Sequence, residues 1–247
     1  STQGIVLKVF PYSNTSVICS VFTRIKGKMS FIAKGIRKPK NPTLSILQPF
    51  NILEIQYYYK NGRNIQMIKE VDINQTFYSI RNNLSSLLFG GAILSVSNRI
   101  LEPYYENSII FRLILKSLEQ LGPKEDSNKK YFLFFLFHFI KQLGFMPNLS
   151  QCHLCNRALN SKIFLDNQSH LFICKVCNIS SSHNDEIDNK MLDAIFLINE
   201  TFIDKIKDIY ISGDMLQNIY IFLRDFTRFH IKSIESLPSF RITDNIY

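Results

Sequence analysis

The chain has 247 residues, of which 46% are hydrophobic and 20% charged, and it carries a net charge of +9. No apolar run approaches the ~20 residues that a membrane-spanning helix needs. The start, "STQGIVLKVF", lacks the basic and apolar regions of a signal peptide. An odd count of five cysteines argues against a disulfide framework. We therefore expect a soluble, cytosolic protein.

The positive charge is concentrated in the first third of the chain. Residues 1–81 hold twelve Lys or Arg against three acidic residues, so this segment accounts for the whole excess of +9. A concentrated positive field attracts phosphate backbones or acidic partners. The distribution predicts a polyanion-binding surface, with an ordinary solvated basic face as the alternative.

Five short β segments occupy this basic region. They read "GIVLKVFPY", "TSVICSVFT", "MSFIAKG", "NILEIQYYYK" and "NIQMIKEVDI", and "NG" at 61–62 is a strong hairpin signal. Five strands in so short a segment suit a small closed barrel better than an open sheet. We predict an OB-fold over residues 1–78, with an SH3-like barrel as the second choice.

The cations and aromatic residues of this predicted barrel form a candidate DNA-binding surface. OB-folds bind single strands by combining a cationic groove with aromatic stacking surfaces. Strand alternation places Tyr58 outside and Tyr57 and Tyr59 in the core, whereas the pattern does not assign Phe31 to either face. Prolines exclude a long helix between the third and fourth strands, so several of the cations lie on a loop. The predicted DNA-binding residues are Lys26, Lys28, Lys34, Arg37, Lys38, Lys40, Tyr58 and Arg63.

From residue 79 onward the apolar spacing becomes helical, which predicts an α-helical domain over 79–148 and 182–247. The predicted helices cover 79–101, 106–122, 129–144, 185–206 and 213–234. The phenylalanine-rich stretch 131–139 fits the core of a helical bundle, with a partner-binding groove as the less common explanation.

Four of the five cysteines form two Cys-x-x-Cys pairs within a predicted insertion over 149–181. Cys152 and Cys155 are separated from Cys174 and Cys177 by eighteen residues, the spacing of a structural zinc site. Two such turns complete a tetrahedron of thiolates, and the residues between them read as a hairpin. A closed Cys₄ site leaves no position for catalysis, so the predicted zinc is structural. Two disulfides or a redox pair are the alternatives.

No catalytic constellation stands out in the sequence. There is no phosphate-binding G-x-x-x-x-G-K-[ST] loop, and the barrel's acids, Glu54, Glu70 and Asp72, are too few to indicate a nuclease. The nearby histidines, His153, His170 and His183, fit surface positions better than ligand positions, because four cysteines already satisfy zinc. We predict a protein without enzymatic activity.

Several stretches taken in order resemble the RecO family of bacterial DNA repair proteins. They include "FIAKGIRKPK", "LQPFNILEIQYYYK", "FLFHFIKQLGFMPNLSQCHLC" and "FICKVC". The resemblance implies an α+β multidomain protein: an N-terminal OB-fold barrel, then an α-helical bundle with an inserted Cys₄ zinc hairpin. It further implies a nucleoid-associated, cytoplasmic recombination mediator. Such proteins bind single- and double-stranded DNA, anneal complementary strands and, with RecR, help to load RecA on strands coated by single-stranded-DNA-binding protein (SSB).

The resemblance also assigns roles to particular residues. Lys34, Arg37, Lys38 and Lys40 match the family's basic barrel loop, and the four paired cysteines match the zinc ligands that some members possess. Lys129 and Lys130 are candidates for the basic rim of an apolar pocket that takes the acidic SSB tail, with a solvated helix N-terminus as the alternative. A different class of function also stays open: an adaptor whose basic barrel binds acidic protein tails instead of nucleic acid.

Overall fold

The computed structural model describes residues 1–37, 43–160, 162–180, 184–231, 240 and 243–244. These residues form two compact units. The first contains residues 1–128 with Phe240 and Thr243, and the second contains residues 129–231 with Asp244. The first unit therefore groups the first helices with the strands, whereas the domain boundary at 78/79 stays a prediction.

The first unit begins with a closed five-stranded barrel. Its strands are β1 (Thr2–Tyr12), β2 (Ser16–Thr23), β3 (Gly27–Ala33), β4 (Ile52–Tyr58) and β5 (Ile65–Gln75). They are hydrogen-bonded in the order β1-β2-β3-β5-β4, and β1 also pairs with β4 to close the barrel. All pairs are antiparallel except β3 with β5. The predicted OB-fold barrel is confirmed.

Alternate side chains of these strands fill the barrel interior. Val17, Val21 and Phe31 are among the buried members of its core. Phe31 is fully buried, and its ring meets that of Tyr57 edge to face, with 5.1 Å between centroids. The structure thus assigns Phe31 to the core and removes it from the candidates for base stacking.

A short helix bridges β3 and β4. Residues 38–42 lie outside the described residues, and α1 (Thr43–Ile46) follows them. Ile36 before it and Leu47 after it are both buried in the barrel core. The four residues of α1 agree with the expectation that this proline-rich connection holds no long helix.

Three further helices complete the first unit: α2 (Tyr78–Arg81), α3 (Leu84–Ile100) and α4 (Ser108–Gln120). The predicted single helix over 79–101 is interrupted because Asn83 caps α3, accepting a hydrogen bond from the Ser86 amide. Phe111 of α4 packs against Phe22 of β2, with 6.2 Å between ring centroids. Gly27 is required at the start of β3, since an added Cβ would lie 2.3 Å from the Tyr105 carbonyl oxygen. These helices therefore cover part of the outer barrel surface.

The second unit is built on α5 (Glu125–Gln142), whose first four residues are counted in the first unit, and on α6 (Asn189–Glu200) and α7 (Gly213–His230). The apolar side chains of α5 from Tyr131 to Ile140 are buried, so this stretch is bundle core. The predicted start of α5 at residue 129 is wrong: the helix begins at Glu125, with Glu125 and Asp126 in its first turn. Acidic residues there suit the positive end of the helix dipole.

A small three-stranded sheet lies between α5 and α6 in sequence. Its strands are β6 (Ile163–Asp166), β7 (Leu171–Cys174) and β8 (Asp185–Ile187), in the order β7-β6-β8. The predicted hairpin between the cysteine pairs is confirmed as β6–β7. Residues 185–187 were expected to begin a helix but pair with β6 instead. Among the described residues, none of the helices combines the length and apolarity needed to cross a membrane.

Candidate metal centre and candidate nucleic-acid interface

The four paired cysteines converge at one point of the second unit. The sulfur atoms of Cys152, Cys155, Cys174 and Cys177 all lie within 4.8 Å of one another, and those of Cys155 and Cys174 are 3.7 Å apart. A tetrahedron with Zn–S bonds of ~2.3 Å has edges of about 3.8 Å. A disulfide needs sulfurs ~2.05 Å apart, and all four thiols are free. The donor set therefore fits a tetrahedral metal ion.

Backbone hydrogen bonds shape the first cysteine pair into a tight turn. The amide of Asn156 donates to the Cys152 carbonyl at 2.9 Å, and the Cys152 amide donates to the Arg157 carbonyl at 2.8 Å. Asn156 has a φ of 58°, the left-handed conformation that asparagine tolerates well. This geometry turns both thiols toward the second pair, at the end of β7.

Electrostatics within the cluster favour a bound cation. Burial raises the pKa of Cys152, but hydrogen bonds from three backbone amides, the first that of Cys174, outweigh it and lower the pKa to about 6. Hydrogen bonding with Cys155, followed by burial, raises the pKa of Cys177 to about 12. One thiolate thus forms easily while the last resists ionisation. A divalent metal removes that resistance, because thiolates are its ligands.

The cysteine hairpin, residues 152–177, is anchored along α7. Phe172 of β7 stacks on Phe222 at a centroid distance of 4.9 Å, and the His230 ring nitrogen Nε2 lies 3.0 Å from the Ser169 carbonyl oxygen. The sequence predicts a protruding hairpin, but one of its faces is packed against a helix. These contacts lie along β7 and at the turn between β6 and β7, the end of the hairpin opposite Cys174.

Two of the three nearby histidines are placed by the structure away from a ligand role. The described His/Cys/Asp/Glu residues form one cluster able to hold a metal, and it contains the four cysteines alone. The ring of His170 packs against Phe229 at 4.9 Å, and the His153 amide donates to the Phe172 carbonyl. His183 lies outside the described residues.

Three of the predicted DNA-binding cations are exposed on the barrel. Lys34 is exposed at the end of β3, and the Arg37 guanidinium donates to the Ser13 carbonyl at 3.1 Å while remaining exposed. Lys26 forms an ion pair with Glu106 at 3.3 Å, in which both side chains are more than half exposed. Such a pair is weak, so it leaves Lys26 able to exchange partners. Lys38 and Lys40 lie outside the described residues.

Lys28 has a different environment. Its ammonium donates to the Asn98 carbonyl at 2.8 Å, at the C-terminal end of α3. Burial lowers the pKa of Lys28, and the helix C-terminus offers carbonyl oxygens that stabilise a cation. Lys28 thus links the barrel to α3, which sequence alternation alone did not indicate.

The loop after β4 presents a second group of exposed residues. The side chain of Gln66, which is 1% exposed, bonds the Lys60 amide, the Lys60 carbonyl and the Arg63 carbonyl, and so orders the loop. Lys60 and Arg63 are exposed on it. Tyr58 is 50% exposed, as expected, but the prediction that Tyr59 is core is wrong, since it is 64% exposed. β4 ends at Tyr58, so alternation no longer applies to Tyr59.

Lys129 and Lys130 lie one turn inside α5 and are half-buried. The Lys130 ammonium donates to the Lys207 carbonyl at 3.2 Å and to the Ile209 carbonyl at 2.5 Å. Because α5 starts at Glu125, neither lysine lies in its first turn, so the alternative of a solvated helix N-terminus does not describe them. Lys130 instead holds the short turn around residues 206–208 against α5.

One cation–aromatic pair on the barrel was missed by sequence reasoning. The Lys8 ammonium lies 4.7 Å from the centroid of the Phe10 ring, and Phe10 is 40% exposed. Alternation along "KVFPY" places Lys8, Phe10 and Tyr12 on one face, and all three are exposed. The i, i+2 spacing of a lysine and two aromatic residues was the available signal.

Comparison with known proteins places nearly the whole chain in one group. Residues 1–77 match the family model described as Recombination protein O N terminal, and residues 81–238 match Recombination protein O C terminal. The chain is 24% identical over 248 residues to the DNA repair protein RecO of Chloroherpeton thalassium, covering 97% of this chain and 95% of the relative.

Two further relatives carry the same name. The DNA repair protein RecO of Caldanaerobacter subterraneus is 24% identical, covering 94% of this chain and 92% of the relative. That of Chlorobium limicola is 32% identical over 160 residues, covering 65% of this chain and 61% of the relative.

Proposed function

The chain belongs to the RecO family, and from this premise we propose that it is a non-enzymatic mediator that binds DNA and anneals complementary strands. A role in DNA repair and recombination follows from the family. The proposal adds the chemistry: the basic barrel grips the phosphate backbone, and base pairing between two captured strands supplies the free energy. No nucleotide hydrolysis is needed for that step.

The observation that carries the proposal is the exposed cationic surface of the barrel. Lys8, Lys34, Arg37, Lys60 and Arg63 are all exposed in the unit that holds the chain's entire charge excess. Cations that neutralise phosphates release condensed counterions, and this release drives non-specific DNA binding. The same neutralisation lowers the repulsion between two strands, which favours annealing.

The cysteine hairpin takes a structural part in this proposal. The four thiols would hold Zn²⁺ in a closed tetrahedron, and the ion would supply folding energy to a small sheet with little core of its own. The four thiolates would fill every coordination position of the ion, so the metal would contribute rigidity to the helical unit. We assign it no part in the strand chemistry.

Protein partners complete the proposal. We propose that the chain works with RecR and with the C-terminal tail of SSB, and through them helps to load RecA on coated strands. The SSB tail would require an apolar pocket with a basic rim on the helical unit, for which Lys129 and Lys130 were the candidates. The Lys130 ammonium already bonds two backbone carbonyls, which favours a structural role for it.

A salt titration with a charge-matched control tests the proposal. Fluorescence anisotropy would follow binding of a labelled single strand to the wild type and to Lys34→Glu/Arg37→Glu. The control, Lys205→Glu/Lys207→Glu, makes the same change in net charge with exposed residues of the second unit. If both barrel cations contact phosphates, the slope of log affinity against log salt should fall by about 1.4 for the barrel variant alone.

The outcomes separate the mediator from the adaptor. Loss of binding and slower annealing of two complementary strands in the barrel variant, with the control unchanged, supports the mediator. Equal losses in both variants would show only a net-charge effect and would contradict a barrel site. If the wild type ignores DNA while the barrel variant loses an acidic peptide, the adaptor is correct.

A further inference from the structure

A groove lies between the small sheet and α7 in the second unit. Strand register pairs Phe172 of β7 with Leu165 of β6, and Leu165 with Asp185 of β8, so these three side chains share one face of the sheet. Phe172 is buried where its ring stacks on that of Phe222 of α7. Leu165 is half-buried and Asp185 is exposed. The helix therefore covers this face at β7 and leaves it accessible toward β8.

The floor of this groove, which we call the α7 groove, is apolar. Met191 of α6 and Phe222 of α7 are buried at its base, and Leu165 and Ile187 line it half-buried. Ile221 of α7 also lines it and is 38% exposed. The volume of about 440 Å³ is in the range of sites that enclose a ligand. The α7 groove can therefore bury apolar groups of a partner.

Carboxylates border the α7 groove. Asp185 and Glu186 belong to β8, Asp188 precedes α6, and Asp225 lies on α7. Among the described residues, those that line the groove include no lysine or arginine. This local excess of negative charge contrasts with the net positive charge of the chain as a whole. Because like charges repel, the α7 groove disfavours phosphate backbones and favours cationic partners.

Three of these carboxylates can accept a new cationic partner. Asp185 is exposed and has no ion-pair partner among the described residues. Glu186 pairs with Lys162 at 2.9 Å, but both side chains are more than half exposed, so the pair is weak and can exchange. Asp188 is exposed and uses one carboxylate oxygen to cap α6. The carboxylate of Asp225 is instead held at 2.7 Å by a neighbouring guanidinium.

The arrangement of the carboxylates also restricts the kind of cation. Among the described residues, only the four cysteines bring three or more possible metal ligands within 4.8 Å of one another, so no three of these carboxylates share one ion. A matching ligand carries several separate cations together with apolar groups. Lysine and arginine side chains combine the two, because their stems pack on apolar surface while their charged ends reach carboxylates. A basic segment of a protein therefore fits the α7 groove.

We propose that the α7 groove is a docking site for a basic, amphipathic segment of a partner protein. Arginine or lysine side chains of that segment meet the carboxylates of Asp185, Glu186 and Asp188. Its apolar side chains lie on Met191 and Ile221. The inference concerns a surface of the second unit and does not depend on the proposed DNA binding by the barrel. An acidic site excludes nucleic acid, so a docked segment leaves the DNA-binding surface free.

Three short labelled peptides test the ligand chemistry on the unmodified protein. The first alternates arginine with leucine, the second arginine with serine, and the third glutamate with leucine. In anisotropy titrations at low salt the arginine–leucine peptide should bind best, because it alone offers both cations and apolar groups. The arginine–serine peptide should bind about threefold more weakly, since it buries less apolar surface. The glutamate–leucine peptide should not bind.

A charge-matched pair of variants locates the binding. Asp185→Asn/Asp188→Asn removes two carboxylates from the α7 groove and keeps a good N-cap on α6, because asparagine caps as well as aspartate. The control, Asp204→Asn/Asp208→Asn, removes two exposed carboxylates of the second unit that do not line the groove. The groove variant should bind both arginine peptides about fivefold more weakly, and the control should match the wild type.

A second pair of variants tests the apolar floor. Ile221→Ser removes an exposed apolar side chain from the groove, and Leu197→Ser removes one that is 46% exposed on α6 and does not line it. Ile221→Ser should weaken binding of the arginine–leucine peptide about threefold and leave the arginine–serine peptide unaffected. Leu197→Ser should change neither. All these variants should bind a labelled DNA strand as the wild type does.

Several outcomes would overturn the inference. Equal losses in the groove and control variants, or equal binding of the two arginine peptides, would show only an effect of net charge. Displacement of the peptide by equimolar spermidine would assign the groove to a polyamine. Self-association of the wild type, lost in Asp185→Asn/Asp188→Asn, would assign it to a basic surface of a second copy. Peptide binding as expected, with no DNA binding by the wild type, would support this inference and remove the proposed function alone.

Discussion

The barrel and the cysteine hairpin are stabilised by different interactions. The barrel closes its backbone hydrogen bonds around a buried apolar core that includes the fully buried Phe31. The cysteine hairpin has two four-residue strands, and its own buried cluster is Cys152, Ile173 and Cys174. Two of those three residues are thiol donors. Burial therefore stabilises the barrel, whereas the hairpin depends on what its thiols bind.

The largest expected effect comes from removing a thiol. Cys174→Ser should abolish metal binding and release the hairpin, because structural zinc supplies on the order of 10 kcal/mol of folding free energy in comparable small modules. Native mass spectrometry would measure the metal content. Hydrogen exchange would show lost protection in β6 and β7 with unchanged protection in β2 and β3.

The fifth cysteine provides the control for that experiment. Cys19 is fully buried in the barrel core, where burial raises the pKa of its thiol to about 12. Cys19→Ala should keep the metal at wild-type stoichiometry. Metal retained in full by Cys174→Ser would contradict the tetrahedral site.

A substitution in the barrel core should lower the stability of the barrel and leave the metal site of the hairpin intact. Phe31→Ala removes a fully buried ring that meets Tyr57 edge to face, and truncations of this kind cost about 3–5 kcal/mol. Urea unfolding followed by circular dichroism should give a lower midpoint for the barrel, with metal content unchanged. Tyr12→Ala, at a site that is 53% exposed, should shift stability by less than ~0.5 kcal/mol.

The smallest effect concerns pH and is confined to the second unit. His138 lies on α5 with its ring 4.1 Å from that of Phe134. Burial, together with the charge of Lys141, lowers the pKa of His138 below its usual value of 6.5. A hydrogen bond to the Ile198 carbonyl opposes this shift but does not cancel it. The unfolded chain therefore takes up this proton first as pH falls. Stability should be lost as pH decreases through 6.5 toward the lowered pKa, with a slope of at most ~1.4 kcal/mol per pH unit.

The variant His138→Gln isolates this contribution. Its unfolding free energy should depend less steeply on pH below 6.5 than that of the wild type, measured by urea titrations at a series of pH values. The pKa of His230 is also lowered, first by burial, so some slope should persist in the variant. An unchanged slope would show that His138 does not contribute to it.

Much of the architecture could be predicted because its causes are local. The alternation of β2 and β3, the Asn61-Gly62 turn and the Cys-x-x-Cys spacing each report on neighbouring residues. The strand β8 escaped prediction because three residues, "DEI", carry no periodic signal and become a strand only by pairing with β6. Tyr59 was misplaced for a related reason, since alternation predicts a face only as far as the strand extends.

The candidate site residues also include some whose exposure the sequence predicted and others whose partners only the fold revealed. Lys34 and Arg37 are exposed as the basic loop implied, but Lys28 belongs to the junction with α3 because the Asn98 carbonyl lies within hydrogen-bond reach. Lys130 is likewise held by carbonyls some eighty residues away in sequence. Charge can be read from composition, whereas the partner of each charge depends on the folded chain.

The sequence by itself determined the class of this protein: a basic barrel, apolar helices and a four-cysteine hairpin, each written in short-range periodicity and spacing. Only the tertiary structure decided which side chains meet, namely the four-thiol cluster, the packing of the hairpin on α7 and the pairing of residues across the five barrel strands. The physical reason is that closing a barrel brings together residues far apart in the chain. Their pairing depends on strand register, which local sequence preferences do not specify.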